Sequence, residues 1–184
     1  MSIVDEIASL FTSSGDSQYG GEAVSQLEHA LQCAMLAEQD HAPPALIAAS
    51  LLHDIGHLLH DLPSDAPDQG IDDHHENSGY HFLSRRFGAE VSEPVRLHVA
   101  AKRYLCAVDE NYASQLSEPS LVSLRLQGGK MSDQEVESFR ENPHWESAVR
   151  LRHWDDLAKV AKRTTPTIDH FLTFVAAAAA EKGH

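Results

Sequence analysis

Residues 45–59 read Ala45-Leu-Ile-Ala-Ala-Ser-Leu-Leu-His-Asp-Ile-Gly-His-Leu-Leu59, a long apolar run that contains two histidines and an aspartate. Such a run predicts a buried helix over residues 45–60. A buried carboxylate is very unfavourable unless it is paired or binds a metal. Adjacent residues of a helix point about 100° apart, so His53 and Asp54 could serve different sides of one metal cluster. His57 is expected one turn after His53, on the same face.

The composition restricts the class of protein. A chain of 184 residues predicts one domain that is large enough to enclose an internal site. Lys and Arg number 14 against 28 Asp and Glu, a net charge of −14, which argues against a nucleic-acid partner or an anionic membrane surface. A small anionic substrate is still compatible, because a metal and a few local cations can invert the field inside one pocket.

Three further features predict a cytoplasmic protein. The two cysteines, Cys33 and Cys106, lie in apolar helical surroundings without metal-binding spacing, as expected of reduced thiols. The first residues lack a basic segment followed by a long apolar core, so no signal peptide is predicted. No apolar stretch reaches the length of a membrane span.

Apolar periodicity predicts an all-α single domain over residues 1–184, with a core at about 19–160 and peripheral terminal helices. Pro43-Pro44 is expected to start the central helix. Residues 61–73 are rich in Asp, Pro and Gly and predict a loop that serves as a lid or as a specificity loop. The other predicted helices cover residues 3–11, 22–39, 74–87, 92–106, 117–126, 132–140, 145–160 and 167–181.

Thirteen histidines in a chain of this size favour a metal site. Histidine and carboxylate ligands without cysteine suit iron, manganese or zinc. The candidates lie on several predicted helices: His29, His53, Asp54, His57, His75, His98 and Asp155. These residues exceed the ligands of one tetrahedral ion, and a shared carboxylate such as Asp54 could bridge two metals.

The pattern His29 … His53-Asp54 … Asp155 resembles the HD-domain superfamily, which is named for the His-Asp doublet. A closer resemblance, to the PhnZ-type phosphonate oxygenases of that superfamily, covers nearly the whole chain. It rests on Tyr19-Gly-Gly-Glu-Ala-Val-Ser-Gln-Leu-Glu-His-Ala-Leu-Gln-Cys-Ala34, His75-Glu76, His98-Val-Ala-Ala-Lys-Arg-Tyr-Leu105, Gln127-Gly-Gly-Lys-Met131 and Arg152-His-Trp-Asp155. The resemblance implies a helical bundle that encloses a mixed-valent pair of iron ions, with O2 as co-substrate.

The resemblance also implies roles for individual residues. One iron would be bound by His29, His53, Asp54 and Asp155, and the second by Asp54, His75 and His98, with His74 as the alternative to His75. Tyr19 would cap an iron until substrate binds, and Glu22 would accept the substrate's cationic nitrogen. The phosphonate would be held by His57, Lys102, Ser120 and Gln127.

The residues themselves support parts of this scheme. Lys102 follows His98 by one helical turn, so its ammonium can point at whatever the second metal binds. The acidic loop could offer negative charge to a quaternary ammonium through Asp68, Asp72 and Asp73. Aromatic rings could add cation–π contact, the candidates being Tyr80, Tyr104 and Trp154.

The predicted reaction is O2-dependent cleavage of the C–P bond of a 1-hydroxy-2-(trimethylammonio)ethylphosphonate-type substrate, giving phosphate and glycine betaine. The same reaction on 2-amino-1-hydroxyethylphosphonate, giving glycine, is an alternative. Another alternative is a metal-dependent phosphohydrolase, which leaves the Tyr19-x-x-Glu22 pattern unexplained. A third is a non-catalytic binding module, which is at odds with the complete set of ligand-type residues.

Overall fold

The computed structural model describes residues 2–59 and 70–181, and within these ranges the regular structure is helical. This confirms the predicted all-α fold. One isolated β-bridge joins Gln18 to Ser25. The helices are α1 (Ile3–Ser14), α2 (Gln26–Gln39), α3 (Pro44–Leu52), α4 (His75–Leu83), α5 (Ala89–Val108), α6 (Glu118–Leu126), α7 (Asp133–Arg140), α8 (Trp145–Leu157) and α9 (Ile168–Glu181), with 3₁₀ turns at Ile55–Leu58 and Tyr112–Gln115.

The central helix is shorter than the sequence predicts. α3 starts at Pro44 as expected but ends at Leu52, and a 3₁₀ turn follows at Ile55–Leu58. The prediction of one helix over residues 45–60, with His53 and His57 on the same face, is therefore wrong. The 3₁₀ turn packs closely against the start of α4. A Cβ on Gly56 would lie 2.0 Å from the carbonyl oxygen of His75.

Capping residues decide several other boundaries. The helix predicted from residue 22 begins at Gln26, because the Ser25 hydroxyl accepts from the Glu28 amide and the Glu28 carboxylate accepts from the Ser25 amide. This cap leaves residues 16–25 as a loop that carries Tyr19 and Glu22. α5 is longer than predicted and includes Pro94. Most of the predicted lid, residues 60–69 with Asp68, lies outside the described residues.

Two apolar clusters hold the helices together. The first surrounds α3, and α9 contributes the fully buried Phe171 and Val175 to it. The second surrounds the carboxyl-terminal half of α5, where Tyr104 packs against Phe139. Each fully buried large apolar side chain stabilises the fold by ~1.5–3 kcal/mol. The two clusters fix α5 on both sides and so fix the position of His98.

None of the helices in residues 2–59 and 70–181 is both long enough and apolar enough to span a bilayer.

Candidate metal centre

Five separate parts of the fold bring ligand-type side chains to one buried place. The buried residues form two groups in which the ligand atoms lie within 4.8 Å of one another. One group contains His29, His53 and Asp155, and the other contains Asp54, His75 and His98. These are the six residues that the resemblance implies as metal ligands. They come from α2, the segment after α3, the start of α4, the middle of α5 and the end of α8.

Asp54 lies between the two groups. Its Oδ2 is 3.2 Å from Nε2 of His53 and 3.5 Å from Nε2 of His29. Its Oδ1 is 3.2 Å from Nε2 of His75 and 3.3 Å from Nε2 of His98. Each carboxylate oxygen therefore faces one pair of histidines, which is the arrangement needed for a carboxylate that bridges two cations.

Three of the histidines point Nε2 at the centre. Nδ1 of His29, His53 and His98 hydrogen-bonds the carbonyl oxygens of Ala158, Ser50 and Val95, at 2.9, 2.8 and 2.6 Å. A carbonyl can only accept, so Nδ1 carries the proton and a neutral ring has its lone pair on Nε2.

The Nε2 atoms of four histidines meet in two pairs. Nε2 of His29 is 3.1 Å from Nε2 of His53, and Nε2 of His75 is 3.1 Å from Nε2 of His98. Each pair can share one proton or bind one cation, and a bound cation takes a lone pair from both rings.

Buried carboxylate oxygens complete the chemical fit. Among the described residues, Oδ2 of Asp54 and Oδ1 of Asp155 are buried without a hydrogen-bond partner. The other oxygen of Asp155 is 2.8 Å from Nη1 of Arg152, which holds the carboxylate in one orientation. Unpartnered oxygens beside histidine lone pairs are a donor set that suits divalent or trivalent iron, manganese or zinc.

The electrostatics of the cluster favour positive charge. Burial alone would raise the pKa of Asp54, but the charge of His53 and the nearby imidazoles of His29 and His75 hold that pKa well below its usual value. Arg152 and His29 likewise keep the pKa of Asp155 low against the effect of burial. Burial would lower the pKa of His75, but hydrogen bonds to Asp54 and Asp73 raise it to about 10. Both carboxylates are therefore ionised at neutral pH.

A cavity of about 330 Å³ opens onto this cluster. Small-molecule sites start at roughly this size. Four of the six candidate ligands reach its wall, namely Asp54, His75, His98 and Asp155. The wall also contains the substrate-site residues that the resemblance implies, together with Asp72 of the acidic loop: Tyr19, Glu22, His57, Asp72, Lys102, Ser120 and Gln127. His29 and His53 lie beneath the wall and are fully buried.

The loop that carries Tyr19 and Glu22 folds back over the cluster. Gly20 and Gly21 have positive φ angles of 43° and 82°, and the Glu22 amide donates to the Tyr19 carbonyl at 2.7 Å. The Tyr19 ring stacks on His29 with centroids 3.8 Å apart. Burial and the charges of Asp155 and Asp54 raise the pKa of Tyr19 well above its usual value, so it is a neutral phenol beside the carboxylates.

The cavity wall places three cations among several carboxylates. The cations are Lys102, Arg152 and Lys159. Lys102 is 3% exposed, and its Nζ donates to Oγ of Ser123 at 2.8 Å. Burial, followed by the charge of Arg152, lowers the pKa of Lys102 to about 7. Gln127 presents a buried Oε1 that lacks a partner among the described residues. A bound anion could therefore accept a hydrogen bond from Lys102, and a bound donor could hydrogen-bond to Oε1 of Gln127.

The structure places some predicted residues differently. Tyr80, Tyr104 and Trp154 do not line the cavity; each packs against an arginine, at 5.6, 5.2 and 5.2 Å from the ring centroids. The predicted cation–π contact with these rings is therefore wrong, because their faces of α4, α5 and α8 point away from the cluster. His74 is 66% exposed, whereas His75 lies in the cluster.

Asp73 lines the cavity and also makes contacts that the sequence does not predict. It was expected to offer charge to a quaternary ammonium, but its Oδ2 is 2.7 Å from Nδ1 of His57 and its Oδ1 is 2.8 Å from Nδ1 of His75. It therefore orients His75 and holds His57 at the cavity wall. Asp72 lines the cavity nearby, and its Oδ1 accepts from the His74 amide at 3.3 Å.

Two cations of the site were missed at the level of sequence. Arg152 lies in one of the motifs but has no predicted role, although its pairing with Asp155 follows from the i, i+3 spacing. Lys159 follows Asp155 by four residues, the same spacing that links His98 to Lys102. That repeated spacing is the signal that could have found Lys159.

The fold and the two-sided cluster define the class of protein. Residues 26–127 match the model of the HD domain. Over 173 residues, the chain is 42% identical to 1-hydroxy-2-(trimethylamino)ethylphosphonate dioxygenase (glycine-betaine-forming) from Leisingera caerulea, covering 94% of this chain and 88% of that protein. It is 45% identical to hydroxymethylphosphonate dioxygenase from Gimesia maris, covering 94% of this chain and 86% of that protein.

The chain therefore belongs to the HD-domain family of phosphonate dioxygenases and is a metal-dependent oxygenase. This confirms the resemblance that the motifs around Tyr19, His53-Asp54, His98 and Asp155 indicated.

Proposed function

We propose that the chain is a diiron oxygenase that uses O2 to cleave the C–P bond of 1-hydroxy-2-(trimethylammonio)ethylphosphonate, giving glycine betaine and phosphate. The observation that carries this proposal is the position of Asp54, whose two oxygens each face a different pair of histidines at 3.2–3.5 Å. A relative with this activity is 42% identical over nearly the whole chain.

The two groups of donors support the proposed ligand assignment. His29, His53, Asp54 and Asp155 would hold one iron, and Asp54, His75 and His98 the other. When bound, the iron pair supplies the activation of O2 and the electron transfer of the reaction. The protein supplies position, charge and shelter from water.

The cavity wall provides for the anionic end of the substrate. Lys102 would donate a charge-assisted hydrogen bond to the phosphonate, supported by Ser120, Gln127 and His57. Lys102 is already buried, so the site does not need to dehydrate it when substrate binds. Binding of an anion would in turn favour the charged form of Lys102.

The loop of residues 16–25, which covers the cluster, would bind the cationic end of the substrate. Tyr19 would cover the irons until substrate enters, because its ring stacks on His29. Glu22 would accept the trimethylammonium group as an ion pair, since a quaternary nitrogen has no hydrogen to donate. The product carboxylate forms at the carbon that carried phosphorus, so both ends must be held while that bond breaks.

A second candidate substrate is hydroxymethylphosphonate. The relative from Gimesia maris that acts on it is 45% identical to this chain. In addition, Glu22 lies 3.2 Å from Nζ of Lys159, so its charge is already paired. A substrate without a cationic nitrogen has no positive charge that must replace Lys159 at Glu22.

Phosphorus NMR of the iron-reconstituted protein tests the function. We expect phosphate from 1-hydroxy-2-(trimethylammonio)ethylphosphonate in air and none under anaerobic conditions. Hydroxymethylphosphonate and 2-amino-1-hydroxyethylphosphonate are compared in parallel, and the highest kcat/KM identifies the preferred substrate. Asp54→Asn should abolish phosphate release, whereas His81→Gln, at an exposed position, should not. Release of phosphate from phosphate esters without O2 would instead identify a phosphohydrolase.

A further inference from the structure

The ammonium of Lys159 lies at the centre of a polar network in the cavity wall. Nζ donates to Oγ of Ser120 at 2.7 Å and lies 3.2 Å from Oε1 of Glu22. Ser117 lies beside the pair: its Oγ is 3.4 Å from Nζ and donates to Oε1 of Glu22 at 2.5 Å. The side chains of Lys159 and Glu22 are only 12% and 14% exposed. This is a largely buried ion pair that faces a ligand-sized space.

The backbone on both sides of Lys159 is fixed to α2. The Ala158 carbonyl accepts from Nδ1 of His29 at 2.9 Å. The Val160 amide donates to Oε1 of Gln32 at 3.1 Å, and Nε2 of Gln32 donates to the Val160 carbonyl at 2.9 Å. The position of Lys159 is therefore tied to a candidate metal ligand, although Lys159 lies beyond the end of α8. A side chain held in this way is preorganised for binding.

The two partners of Lys159 belong to opposite ends of the expected substrate. Ser120 is predicted to hold the phosphonate, and Glu22 the cationic nitrogen. We propose that Lys159 is a phosphonate-binding residue whose charge is paired with Glu22 in the free enzyme. A zwitterionic substrate would exchange this internal pair for two new ones, phosphonate to Lys159 and ammonium to Glu22. The inference rests on the proposed function and names the chemical class of its substrate.

The exchange favours zwitterions over simple anions. A zwitterion leaves no buried charge unpaired, because each end replaces the partner that the other end removes. An anion such as hydroxymethylphosphonate would draw Lys159 away and leave the Glu22 carboxylate without its partner, which is strongly unfavourable at a largely buried position. The Glu22–Lys159 pair therefore acts against anionic phosphonates that lack a cationic nitrogen.

A double-mutant cycle of ligand binding tests this coupling. The four proteins are the wild type, Glu22→Gln, Lys159→Met and the double variant, each loaded with iron. Binding of hydroxymethylphosphonate and of 1-hydroxy-2-(trimethylammonio)ethylphosphonate is measured by anaerobic titration calorimetry. Without O2 no turnover occurs, so the readout is independent of activity.

The Glu22→Gln variant should affect the two ligands in opposite directions. Freed from Glu22, Lys159 should bind hydroxymethylphosphonate roughly 10-fold more tightly than in the wild type, while the zwitterion binds less tightly. When Lys159→Met is added to the Glu22→Gln variant, binding of the anion should weaken roughly 10- to 100-fold, as expected for loss of a hydrogen bond between charged groups. Lys159→Gln should produce the same loss, which guards against a folding defect of one variant.

Lys162, an exposed residue of the same segment, provides the matched control. Lys162→Met, added to the Glu22→Gln variant, should leave both affinities unchanged. The inference is overturned if Glu22→Gln strengthens binding of the anion equally in the presence and absence of Lys159→Met, because the effect would then be simple charge repulsion. Normal turnover without this coupling would overturn the role of Lys159 alone. Failure of all phosphonates to bind would overturn the proposed function as well.

Discussion

At the scale of single residues, the site depends on a few charges that are costly to bury. Lys102 shows how this is managed: its ammonium is 3% exposed and donates to Ser123, and burial lowers its pKa to about 7. Asp155 and Asp156 favour its charged form, whereas Arg152 and Lys159 oppose it. The residue is therefore close to losing its proton at neutral pH in the free protein.

This position of the Lys102 pKa predicts a pH dependence for substrate capture. A lowered lysine pKa means that the ammonium is charged below pH about 7 and neutral above it. Since only the charged form can pair with a phosphonate, kcat/KM should fall about tenfold per pH unit above that value. The measurement is kcat/KM of the iron-loaded enzyme between pH 6 and 9, on either side of that pKa.

The conservative variant separates Lys102 from other titrating groups. Lys102→Arg keeps its charge throughout this range, so the alkaline fall in kcat/KM should disappear even if activity is lower. Lys130→Arg, at an exposed position, should retain the wild-type profile. An unchanged alkaline fall in Lys102→Arg would assign it to a different group.

At the scale of elements, the site depends on the close contact between the 3₁₀ turn Ile55–Leu58 and α4. Gly56 and Gly79 face each other across this contact, but their tolerances differ. A Cβ on Gly56 would lie 2.0 Å from the His75 carbonyl oxygen, whereas a Cβ on Gly79 would have its nearest neighbour at 3.4 Å. The backbone of the first turn of α4, which carries His75, can keep its place only while residue 56 lacks a side chain.

Gly56→Ala should therefore damage both stability and metal binding. The start of α4 must move, which we expect to reduce the free energy of unfolding by ~1–3 kcal/mol and to displace His75 from Asp54 and His98. Gly79→Ala is the matched control and should be neutral or stabilising, because alanine favours a helix by up to ~1 kcal/mol over glycine. Thermal unfolding and the iron content per chain measure the two effects. Equal iron content in both variants would contradict this explanation.

At the scale of the whole molecule, the parts predicted from sequence are those with a local signal. Apolar periodicity indicated most helices, and His53-Asp54 in an apolar run indicated the metal centre. The end of α3 at Leu52 was missed because the 3₁₀ turn that follows it packs against α4 at Gly56, and a local sequence pattern does not show that tertiary contact. The Glu22–Lys159 pair was missed because it joins two residues that are far apart in the sequence, which no local pattern encodes. The prediction that Tyr80, Tyr104 and Trp154 contact the substrate was wrong, because the direction in which each helix face points depends on tertiary packing.

The same convergence of distant elements predicts how the molecule responds to metal removal. The six candidate ligands come from five segments that only the folded chain brings together, so metal binds the native state far better than the unfolded one. Metal at ~1,000 times its Kd would add about 4 kcal/mol of stability, and removing it should lower Tm by roughly 10 °C. Differential scanning calorimetry of the iron-loaded and chelator-treated protein gives the measurement. His98→Gln should lose much of this metal-dependent increase, and exposed His81→Gln should keep it. Equal Tm values with and without iron would mean that the cluster does not bind metal tightly in the folded chain.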